Sequence, residues 1–166
     1  MLVLRLTQSL LKDMKAAAIE DCESSLLFSW HANMYQLNNR KHIIFMNDLS
    51  RLSVIVDEVR SSQLEKMKEK FKTTLSEYLR NEGVSQSLIK QYFLEGSEVV
   101  ISKTNSRSVL GTMKEVIWYT QDTHLEYADH IGRMKWLNKL IYKPIDYKEP
   151  RDVFKEALKT RYSHSK

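Results

Sequence analysis

The sequence predicts an α+β domain: an antiparallel sheet of about five strands with helices packed mainly on one face. Three observations carry that expectation. Residues 26–56 form a stretch free of Gly and Pro, in which aromatic and apolar runs are parted by short polar segments, as in consecutive strands. Elsewhere apolar residues recur at three and four, most clearly from Arg60 to Arg80, where Leu64, Met67, Phe71, Leu75, Tyr78 and Leu79 share a face opposite charged residues. With 166 residues, four Gly and two Pro, the chain has room for one sizeable core and little room for linkers, so residues 1–166 are read as a single domain.

Taken in order, Leu2 to Leu6 is a short strand joining the same sheet. Thr7 or Ser9 can cap a helix reaching about Ile19, with Leu10, Leu11, Met14 and Ala18 on one face. Asp21 to Ser25 is a loop. In residues 26–37, alternation sets Phe28, Trp30, Ala32 and Met34 against Leu27, Ser29, His31, Asn33 and Tyr35. The next run sets Ile43, Phe45 and Asn47 against Ile44, Met46 and Asp48. Asn38-Asn39-Arg40-Lys41 between them is turn chemistry, because Asn tolerates positive φ. Pairing Leu37 with His42 then places His31 opposite Asp48, whereas a one-residue slip places it opposite Asn47. Gly83 ends the long helix and Ser85 caps a shorter one carrying Leu88, Ile89, Tyr92 and Phe93. Glu98 to Lys103 is the last strand. Thr104, Asn105 and Ser106 are cap candidates for a helix with Val109, Leu110, Met113, Val116 and Ile117 inside. A further helix spans about Leu125 to Leu140, and Pro150 opens a final one from Asp152 to Tyr162.

Composition tilts the reading of partners. Hydrophobic content is 42% and charged content 28%, ordinary for a globular domain. A net charge of +5 favours anionic partners. The one cysteine, Cys22, excludes an intrachain disulfide and fits a reducing compartment. No apolar run approaches the roughly 20 residues that span a bilayer, and Arg5 and Lys12 interrupt any leader-like N-terminus. The expected location is the cytoplasm, with no membrane partner.

Two polar groups stand out. Lys103, Thr104, Asn105, Arg107 and Ser108 lie where a strand turns into a helix. A first helical turn offers N–H groups and positive dipole to phosphate or carboxylate, and Arg adds a bidentate donor. Trp30, His31 and Asn33, with Asn47 and Asp48, form the second group, in which an Asp beside a His orients the ring. Trp30 or Tyr35 is the candidate to stack on a base, and Arg40 and Lys41 sit on the hairpin tip. His124 and His130, with Asp122, Glu126 and Asp129 nearby, have poor metal spacing, so neither a metal nor a cofactor is expected. P-loop, Rossmann, Gly-x-Ser-x-Gly and His-Glu-x-x-His patterns are absent.

SWHAN (Ser29 to Asn33), NNRKHIIFMND (Asn38 to Asp48) and SKTNSRSVLGTM (Ser102 to Met113) together resemble a family of uncharacterised bacterial and phage proteins. That family carries WHAN, then N-R-R-K with an apolar strand and N-D, then K-T-x-x-R-S. Residues 1–120 carry most of the resemblance, with a weaker match around Tyr142 to Phe154. Asn39 departs from the Arg often found there, so a strongly basic hairpin tip is not implied. The resemblance implies that the three distant motifs form one site.

The expected function is non-enzymatic binding of a nucleotide or other phosphorylated small molecule; in a phage, this would serve to sequester a host defence signal. One alternative is a nucleic-acid-binding accessory protein using the basic tail from Lys143 to Lys166. The other is a metal-independent nuclease or phosphodiesterase with His31 as base, Asp48 orienting it and Arg107 on the phosphate.

Overall fold

The computed structural model describes residues 1–19, 22–122 and 129–163. Five strands, β1 (Leu2–Leu6), β2 (Ser29–Leu37), β3 (Arg40–Asn47), β4 (Ser53–Asp57) and β5 (Val99–Lys103), form one sheet in the order β4-β3-β2-β1-β5. The α+β class holds, but the sheet is mixed. β2, β3 and β4 are antiparallel neighbours, while β1 runs parallel to both β2 and β5. The physical reason lies in the connections. Tight turns join β2 to β3 and β3 to β4, whereas the chain leaves the far end of β1 through helix α1 (Gln8–Met14) and β2 begins beside Val3, near the end where β1 started.

The hairpin register differs from the expected one by two residues. Only Asn38 and Asn39 form the turn, with φ of 52° and 61°, and Leu37 pairs with Arg40. Positive φ at both central residues matches the right-handed strand twist. His31 therefore pairs with Met46 in the ladder. A shift of two keeps parity, so every side chain stays on its expected face.

Helices cover both faces of the sheet, not mainly one. Leu2, Leu4, Leu6, Trp30, Ala32, Ile43 and Phe45 point into a large core beneath α1, α2 (Leu64–Asn81), α3 (Gln86–Glu95) and α6 (Pro150–Tyr162). Ile44, Met46 and Ile55 point the other way, toward Val109, Met113 and Val116 of α4 (Arg107–Asp122) and Leu137 of α5 (His130–Leu137). The expected helix from Leu125 begins, within the described residues, at His130, capped by the Asp129 carboxylate on the Gly132 amide. At the edge, Asn138 just beyond α5 accepts from the Ser53 amide (2.7 Å) and donates to the Ser53 carbonyl (2.9 Å), covering polar groups of β4.

Helix α1 stops well short of Ile19. Lys15 adopts φ 50° and its amide bonds the Lys12 carbonyl, while the Ala16 amide reaches back to Leu11. This is a Schellman closure, completed by Leu11 and Ala16 packing on the same core. The chain then runs extended, and Ile19 bridges to Ser102 alongside β5.

Each positive-φ residue in the hairpin turn other than Gly retains steric strain. Asn39→Gly is expected to stabilise the domain by up to about 1 kcal/mol. Urea unfolding should show a higher midpoint with an unchanged slope.

Candidate anion-binding site

The site grows from one transverse row of the sheet. Ser102, Arg5, His31, Met46 and Ser53 are successive register partners across β5, β1, β2, β3 and β4, and all lie on the face that carries α4. At Met46 the row is apolar beneath α4, and at Ser53 it is closed by Asn138. Toward β5 it is polar, and it borders a cavity of about 810 Å³ lined by Arg5, Ser29, Asp48, Arg51, Ser102 and the segment from Lys103 to Ser106.

Asp48 ties the row together. Its Oδ1 lies 2.7 Å from His31 Nδ1, and its Oδ2 accepts from the Ser29 hydroxyl at 2.8 Å. The Asp48 amide donates to the Ser29 carbonyl at 2.9 Å, and the Asp48 carbonyl accepts from Arg51 Nη1. The Asn105 amide donates to His31 Nε2 at 3.2 Å. A backbone N–H can only donate, so Nε2 holds the lone pair and Nδ1 carries the proton given to Asp48. The motifs around His31, Asp48 and Asn105 thus meet in one hydrogen-bonded chain, although His31 and Asp48 are diagonal neighbours rather than ladder partners.

Two guanidinium groups set the electrostatics, and neither was singled out in the sequence as part of the site. Arg5 is only 5% exposed; it donates to Ser29 Oγ (3.0 Å), the Cys22 carbonyl (2.7 Å) and, at 3.5 Å, Ser102 Oγ. All three partners are neutral, and among the described residues no carboxylate lies within ion-pair distance of Arg5. Arg51 is 6% exposed and donates from Nη2 to Ser108 Oγ at 2.9 Å, while its buried Nε has no partner. Burial pushes the Arg51 guanidinium below its usual range, and nearby Asp48 opposes that shift. The available signal for Arg5 was a charge inside LVLRL, a strand buried at every position. Arg51 had no comparable signal, because its place depends on the β3–β4 turn, where it adopts φ 63°.

The other expected residues divide. Lys103, Thr104 and Asn105 line the cavity, and Ser108 anchors Arg51. Ser106 also lines it and caps α4 by accepting from the Val109 amide at 3.2 Å. Arg107 is exposed on the same side of the sheet, but it borders a smaller hollow with Asn33, Gly111 and Met113 instead of the Arg5 cavity. Asn33 accepts from the Thr7 hydroxyl at 2.8 Å. Asn47 is fully buried and structural: its Nδ2 donates to the Leu27 carbonyl, and its Oδ1 accepts from the Leu49 and Ser50 amides, shaping the turn.

Three expected ligand groups are placed elsewhere. Trp30 is fully buried on the opposite face, edge-on to Phe71, with Nε1 donating to the Tyr92 hydroxyl at 3.0 Å, so it offers no ring to a ligand. Tyr35 is buried too and stacks on His42. Arg40 and Lys41 sit at the far end of β3, roughly 25 Å along the strand from Asp48. There Lys41 pairs with Asp13 at 2.7 Å, and Arg40 and Lys41 border a separate concavity with Arg60, Lys66 and Lys70. Of the residues weighed for metal binding, His124 and Glu126 lie outside the described residues, and His130 lies 3.6 Å from Asp57. Among the described residues no cluster of three or more His, Cys, Asp or Glu side chains could hold a metal ion.

Removing the carboxylate would leave His31 and Ser29 without their shared partner, while the Arg51 bond to the Asp48 carbonyl would remain. Asp48→Ala is expected to destabilise the domain by about 2–4 kcal/mol, since it strands two buried donors that had bonded a charged group, measurable by denaturant unfolding. Trp30→Phe leaves the Tyr92 hydroxyl without its donor and should destabilise by about 1–3 kcal/mol. Ligand affinity should stay unchanged in that variant, because Trp30 lies across the sheet from the cavity.

No curated protein and no solved structure matches the chain. A family model does match, covering residues 3–153, and so spans all five strands except Leu2, with α4 and every residue of the cavity wall. By that match the chain belongs to the DUF6933 family, a domain of unknown function.

Proposed function

We propose that this domain binds a nucleotide or another phosphorylated small molecule, without turning it over, in the cavity between Arg5, Arg51 and the start of α4. The observation that carries this reading is the buried Arg5 guanidinium, whose partners among the described residues are all neutral. A desolvated charge is costly unless paired. An anionic group in the adjoining cavity would supply the missing counter-charge, and Arg presents a planar fork suited to phosphate oxygens. Ser102, Thr104 and Ser106 line the same wall and would add hydroxyl donors. The wall also carries Asp48 and Glu23, so the cavity is not uniformly positive. Asp48 is committed to His31 and Ser29, which leaves the guanidinium groups as the main feature an anion would meet.

The geometry of His31 favours binding over catalysis. The ring is fully buried, and its Nε2 lone pair is taken by the Asn105 amide. A general base needs that lone pair within reach of a substrate proton. His31 instead fixes the loop that forms one wall of the cavity. In a phage, such a pocket would serve to sequester a nucleotide signal of the host.

Nucleic acid is the second reading, and a separate observation favours it. The concavity at the hairpin tip gathers Arg40, Lys41, Arg60, Lys66 and Lys70 around Asp57 and Glu58, giving the opposite end of the sheet a basic surface. Binding through that surface would weaken steeply with salt.

Extraction of the purified protein, with mass spectrometry of what it releases, identifies the ligand. Calorimetric titration of that compound then tests the site. Arg5→Lys keeps the charge but loses the fork and should weaken binding roughly ten- to one-hundred-fold. Arg107→Ala should leave affinity within about twofold, a loss of no more than about 0.4 kcal/mol, since Arg107 lies outside the cavity. Equal affinity in Arg5→Lys and wild type, or reproducible His31-dependent cleavage of a nucleotide, overturns the proposal.

A further inference from the structure

A different surface, on the far side of Leu26 from the anion cavity, has the features of a docking groove. It is the largest concavity among those described, about 1230 Å³, between α6 on one side and the segment from Ile141 to Glu149 on the other. Leu26, Ile141 and Tyr147 are each more than half exposed, at 57%, 57% and 60%, and all three converge here. Single exposed apolar side chains are unremarkable, but several sharing one groove mark an interaction surface. Tyr147 and its neighbour Asp146 both adopt positive φ, 57° and 54°, so the backbone that presents the ring is itself in an uncommon conformation for non-Gly residues.

The floor is a helical stripe. Asp152, Val153, Glu156, Ala157 and Thr160 of α6 recur at one and three, and so line the groove along one face. From Glu149 to Thr160 that face runs roughly 16 Å, the length of about three turns of a second helix. Ala157 in the middle leaves room for close approach.

Charge selects the occupant. The protein carries +5 overall, yet the groove is bordered by Asp146, Glu149, Asp152 and Glu156 against Lys148 and Arg161. Arg161 is already paired with Glu95, and Glu149 with Arg151. Among the described residues, no ion pair engages Asp146, Asp152 or Glu156. An apolar groove rimmed by Asp146, Asp152 and Glu156, which carry no ion pair among the described residues, on a molecule of net charge +5, fits a ligand with the reverse pattern. The chain's own long helices cannot supply it, because their apolar faces, such as Met67, Phe71 and Leu75 of α2, are buried in the core.

We propose that the groove between α6 and residues 141–149 docks a cationic amphipathic helix of a partner protein. Apolar side chains at helical spacing would enter between Val153, Ala157, Ile141 and Tyr147, with Lys or Arg residues meeting Asp146, Asp152 and Glu156. Leu26 borders both this groove and the anion cavity, so the partner sits against the wall of the ligand site.

The test uses two synthetic amphipathic helices of about three to four turns, identical in their Leu positions, one with Lys and one with Glu on the polar face. Fluorescence anisotropy should show binding of the Lys peptide and at least about tenfold weaker binding of the Glu peptide. Amide shifts on titration into labelled protein should concentrate at residues 141–160. Ala157→Gln, which fills the floor, and the paired truncation of exposed Ile141→Ala and Tyr147→Ala should each reduce affinity about tenfold or more. Melting curves for the exposed pair should match wild type, which keeps the result readable if Ala157→Gln unfolds. Failure of the Lys peptide to bind, binding that these variants leave unchanged, or shifts confined to other surfaces would overturn the proposal. So would sedimentation showing a dimer that the Ile141 and Tyr147 truncations dissociate, since the groove would then belong to a second copy.

Discussion

The buried carboxylate of Asp48 is the interaction on which the rest of this structure hangs. One side chain holds His31 on β2 and Ser29 at the start of the same strand, and its backbone holds Ser29 and Arg51. Through His31 it also fixes the Asn105 amide, and with it the loop between β5 and α4. A buried ion or polar group is tolerated only when nearly all its hydrogen-bonding capacity is met. Asp48 meets that condition by drawing together segments from opposite halves of the chain. The loop that walls the anion cavity is therefore held from beneath by the sheet.

The same constraint explains why the cavity forms where it does. The transverse row from Ser102 to Ser53 is continuous across the sheet, but α4 covers only the β2–β3 side. On the β1–β5 side no helix lies over the row among the described residues: Ile19 pairs with Ser102 beside β5, and the Cys22 carbonyl accepts from Arg5. Open volume remains over Arg5 there. The early stop of α1 at Lys15 is thus a condition of the site, since a helix continued to Ile19 could not bridge to Ser102 in that way.

Polar commitments also separate supporting residues from those open to a ligand. Asn47, bonded to backbone groups, and His31, held between the Asp48 carboxylate and the Asn105 amide, act as scaffolding. Trp30 belongs to the aromatic core with Phe71, Tyr92 and Phe154, where burial and the Tyr92 hydroxyl satisfy it. Arg5 and Arg51 are the exceptions: both are buried charges, Arg5 bonded by neutral groups among the described residues and Arg51 with its Nε unpartnered. That difference makes the cavity, and not the motif residues as a set, the focus of the functional reading.

Alternation and turn chemistry by themselves determined much of this protein. They gave the β2–β3–β4 meander, the face of each side chain, the long helix ended by Gly83, and the strand-to-helix junction after Lys103, because these depend on local periodicity and on residues that tolerate special φ. They also brought His31 and Asp48 together, since an error of two in register preserves the face. Only the tertiary structure decided that β1 runs parallel between β2 and β5, that helices lie on both faces, that Trp30 is core, and that Arg40, Lys41 and Arg107 stand apart from the cavity. Strand direction follows from where a connection returns, and burial from what packs above a residue; neither is encoded in the spacing of neighbours along the chain. For the same reason Arg5 and Arg51, far apart in sequence and unremarkable in pattern, could be recognised as one site only once the sheet and the turn after β3 had brought them to the same cavity.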